Sequence, residues 1–528
     1  MKDQASIKRI GGHPVGLFYL FFAELWERFS FYGMRALLTL YLATEIFVEL
    51  GTKDADEKAI GVYAAYGALV YATPLLGGFL ADKVMGFRRA IILGGVLMAI
   101  GHFVMVIEND AALYLALGFL IMGNGFFKPN ISSFVGDLYE EKDINRDAGF
   151  TIFYLGINLG AFFAPLICGY LGHNYGWHYG FGLAGIGMVI GLLVFLFGLK
   201  SGVFGNEGLQ PTYFKENKYA GLNINHFISI AALLLIPIFA ILVAFNDLAV
   251  FQTDLMGVVV ALTFISATIG TIIIMIQVGW QAAKKILVIV FITFLLTIFW
   301  AFYEQGGTSL TLFAERNVDL LFGLTASQTN SFSAFGILIF SLPFAFMWSF
   351  LNKINRNPST PLKYAIGLGI LGFGFLLFAI SPHFMSEQGQ VPMLFLMGGY
   401  LCLTTGELFV SPIGLSKVTE LSPKKSVAFF MGIFFLSLMG AFYVGGYIAK
   451  LTAGGGESEA RDLGAFWGPI VEKITGFPNG VSDSAVEGVR SLATYSSLFA
   501  QVAVFTFGVA FLALIMTPII KWLMQDVK

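Results

Sequence analysis

The stretch Glu24-Leu25-Trp26-Glu27-Arg28-Phe29-Ser30-Phe31-Tyr32-Gly33-Met34-Arg35 places four ionisable side chains inside a long apolar run. Wound as a helix at about 100° per residue, Glu24, Arg28 and Arg35 fall within a narrow arc flanked by Glu27 and Tyr32, while Leu25, Phe29 and Met34 lie elsewhere. An ionisable residue at mid-bilayer costs about 2.5–3.5 kcal/mol on insertion scales, so it needs a partner and usually a purpose. The alternative is charge neutralisation within a helix that ends in water, but five polar groups on one arc exceed that need. A second apolar run carries Lys128 between Phe127 and Pro129. A lysine there keeps its charge only if a carboxylate faces it, and Glu24 and Glu27 are the candidates. A lysine–carboxylate pair whose members trade a proton as solvent access changes is a sufficient proton carrier.

Three more pairs sit four residues apart in apolar surroundings: Tyr154 with Asn158, Trp300 with Glu304, and Glu407 with Ser411. Each shares one helix face and could line a cavity; a hydrogen bond within a packed interface is the alternative. The polarity is asymmetric, with cations (Arg35, Lys128) in the first half of the chain and anions (Glu304, Glu407) in the second. A zwitterion would lie across such a site with its carboxylate toward the first half. An amino acid or short peptide fits that arrangement better than an apolar drug or a simple anion.

These residues must be positioned by membrane-spanning helices. Of the 528 residues 57% are hydrophobic and 12% charged, too little polar surface for a soluble domain of that size. Apolar runs long enough to cross a bilayer fall near 17–47, 59–81, 89–107, 111–136, 148–172 and 178–199, then 226–245 and 255–279, then 285–314, 327–351, 363–381, 391–420, 426–451 and 492–523. With the amino terminus inside, inner segments hold twenty-one Lys and Arg against seven outside, the bias that orients membrane proteins. Both termini are expected to be cytoplasmic.

The expected fold is an all-α polytopic membrane protein of fourteen transmembrane helices. Residues 1–199 form an N-terminal six-helix bundle, 200–283 a cytoplasmic linker and inserted transmembrane hairpin, and 284–528 a C-terminal six-helix bundle. Two six-helix halves joined by a cytoplasmic connector are a secondary-transporter layout. The long outer loop, 452–490, holds Phe466, Trp467, Ile470, Val471 and Ile474 at roughly helical spacing, which suits either a short interfacial helix or an ordered loop. The first span is read as retained, because a cleavable signal has a short uncharged core.

Other function classes are disfavoured. A net charge of −2 gives no nucleic-acid footprint. No phosphate-cradling Gly-Lys-Ser/Thr loop supports ATP binding, and the six histidines lack ligand spacing, so no metal, no cofactor and no enzyme activity are expected. Cys168 and Cys402 both lie in apolar runs and read as packing.

The chain resembles the proton-dependent oligopeptide transporter family, within the major facilitator superfamily, over essentially its whole length. The resemblance is carried by the Glu-x-x-Glu-Arg signature at Glu24, Glu27 and Arg28, by Phe150 through Gly160, by Gly78 through Arg88, and by Gly406-Glu407-Leu408 with Ser411-Pro412-Ile413-Gly414. The hairpin 226–279 is similar to two extra helices of bacterial members. The resemblance implies that Glu24, Glu27, Arg28 and Lys128 handle protons, with Glu304 near the central gate. It implies that Arg35, Lys128 and Tyr32 hold a peptide carboxylate, and that Asn158 and Glu407 hold the amino terminus. Tyr71, Tyr154, Trp300 and Ser411 would line side-chain pockets. Departures are Phe31 where many members have tyrosine, Ser333 where members place an amine-binding asparagine, and Phe434 at a usual tryptophan.

The resulting expectation is a proton-coupled symporter that imports di- and tripeptides by alternating access, with protons as the coupling ion. The alternative on the same fold is a proton-coupled carrier of nitrate or another small organic solute; intact Glu24, Glu27, Glu407 and Arg35 favour peptides, since an anion carrier gains nothing from Glu407.

Overall fold

The computed structural model describes residues 8–140, 143–216, 218–219, 221–250, 253–455, 463–478 and 485–524. The chain is helical almost throughout. In order come α1 (Val15–Tyr41), α2 (Thr52–Leu80), α3 (Phe87–Val104), α4 (Asp110–Asp137), α5 (Arg146–Tyr175) and α6 (Trp177–Lys200). The short α7 (Thr212–Glu216) precedes α8 (Ile224–Ala244) and α9 (Leu255–Val278). There follow α10 (Trp280–Tyr303), α11 (Ser309–Asn317), α12 (Ser331–Lys353), α13 (Thr360–Ile380), α14 (Met393–Leu421), α15 (Val427–Lys450), α16 (Gly464–Thr475) and α17 (Glu487–Met524). The only strands among the described residues are two-residue pairs at helix ends.

Thirteen helical segments among the described residues are long and apolar enough to cross a membrane. At 27 residues α1 has the same reach, and only its four ionisable side chains lower its hydropathy. With α1 the expected fourteen spans are present. Helices satisfy their own backbone polar groups, which is why lipid-facing segments fold this way.

Two expectations change in detail. The run near 285–314 is not one helix: α10 stops at Tyr303, and Glu304–Gly307 form a tight turn before α11. Gly306 and Gly307 weaken the helix there, and side chains satisfy the freed backbone groups. Gln305 Nε2 donates to the carbonyls of Ala301 (3.0 Å) and Gly445 (2.9 Å). Thr311 and Tyr400 hydroxyls donate to Gly306 O at 2.7 and 3.3 Å. The second change is α2, which starts at Thr52 rather than near 59, because its first two turns are polar and invisible to an apolar-run reading. In the outer loop the helical alternative holds as α16; residues 456–462 and 479–484 of that loop lie outside the described residues.

The helices pack as two compact units. The first comprises residues up to 38 and 69–246; the second comprises 39–68 and 247 onward. Within the first, α3, α4 and α8 make a tight layer. A Cβ on Gly94 would come within 2.6 Å of the Gly123 carbonyl, and one on Gly118 within 2.5 Å of the Ile236 carbonyl. Small residues that let backbones approach drive helix packing in lipid. The amino-terminal segment is tied down where Arg9 donates to Asp143 at 2.7 Å. The Asn145 backbone N–H and Arg9 together hold the Asp143 carboxyl below its usual range.

Within the second unit, α13 packs along α14 and α17, and α10 along α15. The hairpin helix α9 is fixed by Asp254, whose carboxylate accepts from the Tyr447 hydroxyl at 2.8 Å and the Tyr443 hydroxyl at 3.3 Å. The first part of α2 belongs here as well, and Asp56 on it accepts from both terminal nitrogens of Arg316 and from the Gly454 N–H.

Candidate functional site

In the first unit the signature of α1 folds into one buried ion cluster. Glu24, Glu27 and Arg28 are 1%, 0% and 2% exposed. The Arg28 guanidinium donates through Nε and Nη2 to the two Glu27 oxygens, and its Nε lies 3.3 Å from Glu24 Oε1. Bidentate pairing of this kind fixes both geometry and charge. Glu24 Oε2 is buried without a hydrogen-bond partner among the described residues. The cluster can sit so deep because α5 crosses at a glycine: a Cβ on Gly160 would come within 2.4 Å of Leu25 O and 2.9 Å of Arg28 Cβ.

Lys128 projects from α4 with its ammonium 4.2 Å from the Tyr71 ring centroid on α2, and its charge is within Coulomb reach of Glu24. Lys128 thus acts on Glu24 through its charge, with Tyr71 as its aromatic neighbour. Arg35 lies two turns beyond Arg28, half-buried, its guanidinium 6.0 Å from the Tyr32 ring centroid. On α5 Asn158 is buried, and its amide donates to the Tyr154 carbonyl at 2.9 Å, which leaves the amide oxygen available; Tyr154 itself is exposed. Sequence reasoning missed His102 of α3, which is fully buried and hydrogen-bonded to Ser30 at 2.5 Å beside the cluster. A lone histidine in an apolar run, without a motif, gave no signal for it.

In the second unit the expected residues gather on α10 and α14. Glu304 caps the C-terminus of α10 and is 5% exposed; Trp300 is half-buried one turn earlier. Glu407 on α14 lies near Tyr303, a residue the sequence reading did not single out, and feels the charge of Glu304. Glu407 Oε2 and Ser411 Oγ are both buried and unpartnered among the described residues. Ser333 on α12 is half-buried, its carbonyl held by the Thr404 hydroxyl at 3.2 Å. Phe434 is buried against α14, where a Cβ on Gly414 would come within 2.8 Å of its ring.

With fourteen membrane-length helices among its described residues, and ionisable side chains buried inside them, the protein is a multi-pass membrane transporter. The comparisons name its family. The POT family pattern matches residues 88–463, and the chain belongs to that family. It is 36% identical to the uncharacterized transporter YclF of Bacillus subtilis over 449 residues, covering 83% of this chain and 88% of that one. It is 31% identical to dipeptide and tripeptide permease A of Cronobacter turicensis over 520 residues, covering 97% and 94%. A crystal structure of a peptide transporter POT in complex with sulfate superposes with a TM-score of 0.78 at 32% identity, covering 98% of each chain. The fold is that of the major facilitator transporters in this family.

Proposed function

We propose that the protein is a proton-coupled symporter that imports di- and tripeptides by alternating access. The observation that carries this reading is the segregation of charge carried by the membrane-length helices. Arg35 and Lys128 supply cations in the first unit, and Glu304 and Glu407 supply carboxylates in the second. Such a pair of charge groups suits the two ends of a zwitterion. The permease and transporter names of its relatives support the same cargo.

Arg35, with Tyr32 and Lys128, takes the peptide carboxylate. Glu407 and Asn158 take the amine, and Ser333 adds little because its hydroxyl is short. Tyr71, Tyr154, Trp300, Ser411 and Phe434 bound the space for side chains. Protons travel by the Glu24–Glu27–Arg28 cluster with Lys128, and Glu304 answers in the second unit. Protons are the only coupling species required, and the two six-helix bundles, 1–199 and 284–528, are the moving parts. The bias of Lys and Arg toward inner segments supports cytoplasmic termini in an inner membrane.

Competition uptake tests the cargo. Labelled dialanine should be displaced by unlabelled di- and trialanine and poorly displaced by N-acetylated dialanine, C-amidated dialanine or nitrate. Displacement by nitrate at equal concentration would overturn the peptide reading.

A further inference from the structure

α9 ends at Val278 and α10 begins at Trp280, with Gly279 between them at φ +77°, a value that favours glycine. Nothing lies within 4 Å of where a Gly279 Cβ would stand, so the corner is open. The last turns of α17 arrive at the same place. The Lys284 ammonium on α10 lies 5.7 Å from the Trp280 ring centroid and 4.5 Å from that of Trp522 on α17. Both indoles are largely exposed, at 64% and 63%. Lys285 is half-buried beside Lys284, and Lys521 is exposed beside Trp522. Among the described residues no carboxylate forms an ion pair with any of these three lysines.

A single tryptophan or lysine at a helix end is an ordinary interfacial anchor. Here two helices combine theirs above a continuous apolar surface. At helical spacing Trp280, Lys284 and Leu287 share one face of α10, and Trp522, Ile519 and Ile515 share one face of α17. Leu287, Ile519 and Ile515 are exposed as well. The two faces meet at Lys284, so cations and indoles stand at the helix ends and bare aliphatic side chains run from there along the spans. An ammonium over a ring keeps N–H groups free to donate elsewhere. A soluble anion would use the cations and leave the aliphatic strip unused; an anionic phospholipid matches both.

We propose that Lys284, Lys285 and Lys521, with Trp280 and Trp522, form a binding site for one anionic phospholipid: the ammonium groups take the headgroup phosphate, and the aliphatic strip takes an acyl chain. The indole rings hold Lys284 at headgroup height, and their N–H groups donate toward the ester region. Selection is by net headgroup charge. Each lysine near an anionic surface contributes up to about fivefold in affinity, so phosphatidylglycerol is preferred over phosphatidylcholine, whose choline cancels the phosphate charge. The excess of Lys and Arg at this end of the spans directs the site to the cytoplasmic leaflet. It lies wholly in the second unit and is independent of the peptide and proton assignments above.

The test is tryptophan fluorescence of the full chain in phosphatidylcholine vesicles, quenched by increasing mole fractions of brominated phosphatidylglycerol or brominated phosphatidylcholine in both leaflets. Subtracting the signal of a Trp280→Phe, Trp522→Phe double variant isolates these two indoles from the rest of the chain's seven tryptophans. Wild type should reach half-maximal quenching at about a tenfold lower mole fraction of the phosphatidylglycerol. Lys284→Arg keeps the charge and should keep that preference. Lys521→Gln, at an exposed position that folding tolerates, should cut it roughly two- to fivefold, and replacing all three lysines by Gln should bring the two midpoints together. Equal midpoints in wild type, or a full preference in both Lys521→Gln and the triple variant, would overturn the site. Loss of the preference on adding inorganic phosphate at constant ionic strength would make the occupant a soluble anion and overturn the lipid assignment.

Discussion

The Lys128 ammonium stands 4.2 Å from the centroid of the Tyr71 ring, so the basic residue of α4 rests on an aromatic face while its charge acts on Glu24. A cation–π contact contributes ~0.5–2 kcal/mol depending on desolvation. Tyr71→Phe keeps the face and should leave dialanine uptake near wild type. Tyr71→Leu removes it and should weaken apparent affinity by about 2- to 30-fold, the same range converted. Lys128→Met, of similar length without charge, should lose gradient-driven accumulation. Equal uptake in wild type and Tyr71→Leu would show that the ring does not hold Lys128 in the working protein.

The buried Glu24–Glu27–Arg28 cluster predicts a separation of coupling from binding. Glu24→Gln and Glu27→Gln should each abolish accumulation against a gradient yet spare peptide-for-peptide exchange, which needs no net proton movement. Glu27→Gln should also lower thermal stability more than Glu24→Gln, because Glu27 makes both hydrogen bonds to the Arg28 fork. Either variant concentrating peptide would remove that carboxylate from the coupling step.

Arg35 is assigned to the peptide carboxylate. Losing a hydrogen bond to a charged group costs ~1.5–3 kcal/mol, so Arg35→Ala should weaken dialanine by about 10- to 150-fold and C-amidated dialanine much less. Competition uptake reads both. Equal losses would mean that Arg35 shapes a helix or a gate instead.

Asp56 and Arg316 form a two-point pair at 2.6 and 2.8 Å, with Asp56 fully buried. Removing one member of a buried pair strands the other and costs about 3–5 kcal/mol. Asp56→Ala should therefore lower the melting temperature in detergent, while Asp56→Ala with Arg316→Met should recover part of the loss. A double variant no more stable than Asp56→Ala would show that the pair is not what secures the start of α2 within its unit.

Most of the spans were legible because lipid imposes one rule, apolar length, that survives without knowledge of neighbours. What composition could not supply was helix interruption and lateral partnership. The turn at Glu304–Gly307 hides inside an apolar run because its backbone is satisfied by Gln305, Thr311 and Tyr400, side chains that read as ordinary polar residues in sequence. The charged residues of α1 announced themselves, since a buried guanidinium demands carboxylates within reach. Tyr303 and His102 did not, because one phenol or imidazole in an aromatic-rich helix has no spacing signature. Only packing distinguishes them: Tyr303 stands against Phe299 and Trp300, and His102 is hydrogen-bonded to Ser30.

The central claim is that proton flow drives peptide uptake. One proton moving down ~100 mV and one pH unit releases roughly 3.7 kcal/mol, enough to hold a neutral peptide at a ratio of a few hundredfold. The direct measurement is labelled dialanine uptake into proteoliposomes with an imposed gradient, acidic outside and negative inside, then with the gradient collapsed by a protonophore. The account predicts accumulation well above equilibrium in the first case and bare equilibration in the second, with Glu24→Gln equilibrating in both. Accumulation that persists after the gradient is collapsed, or none when it is imposed, would contradict it.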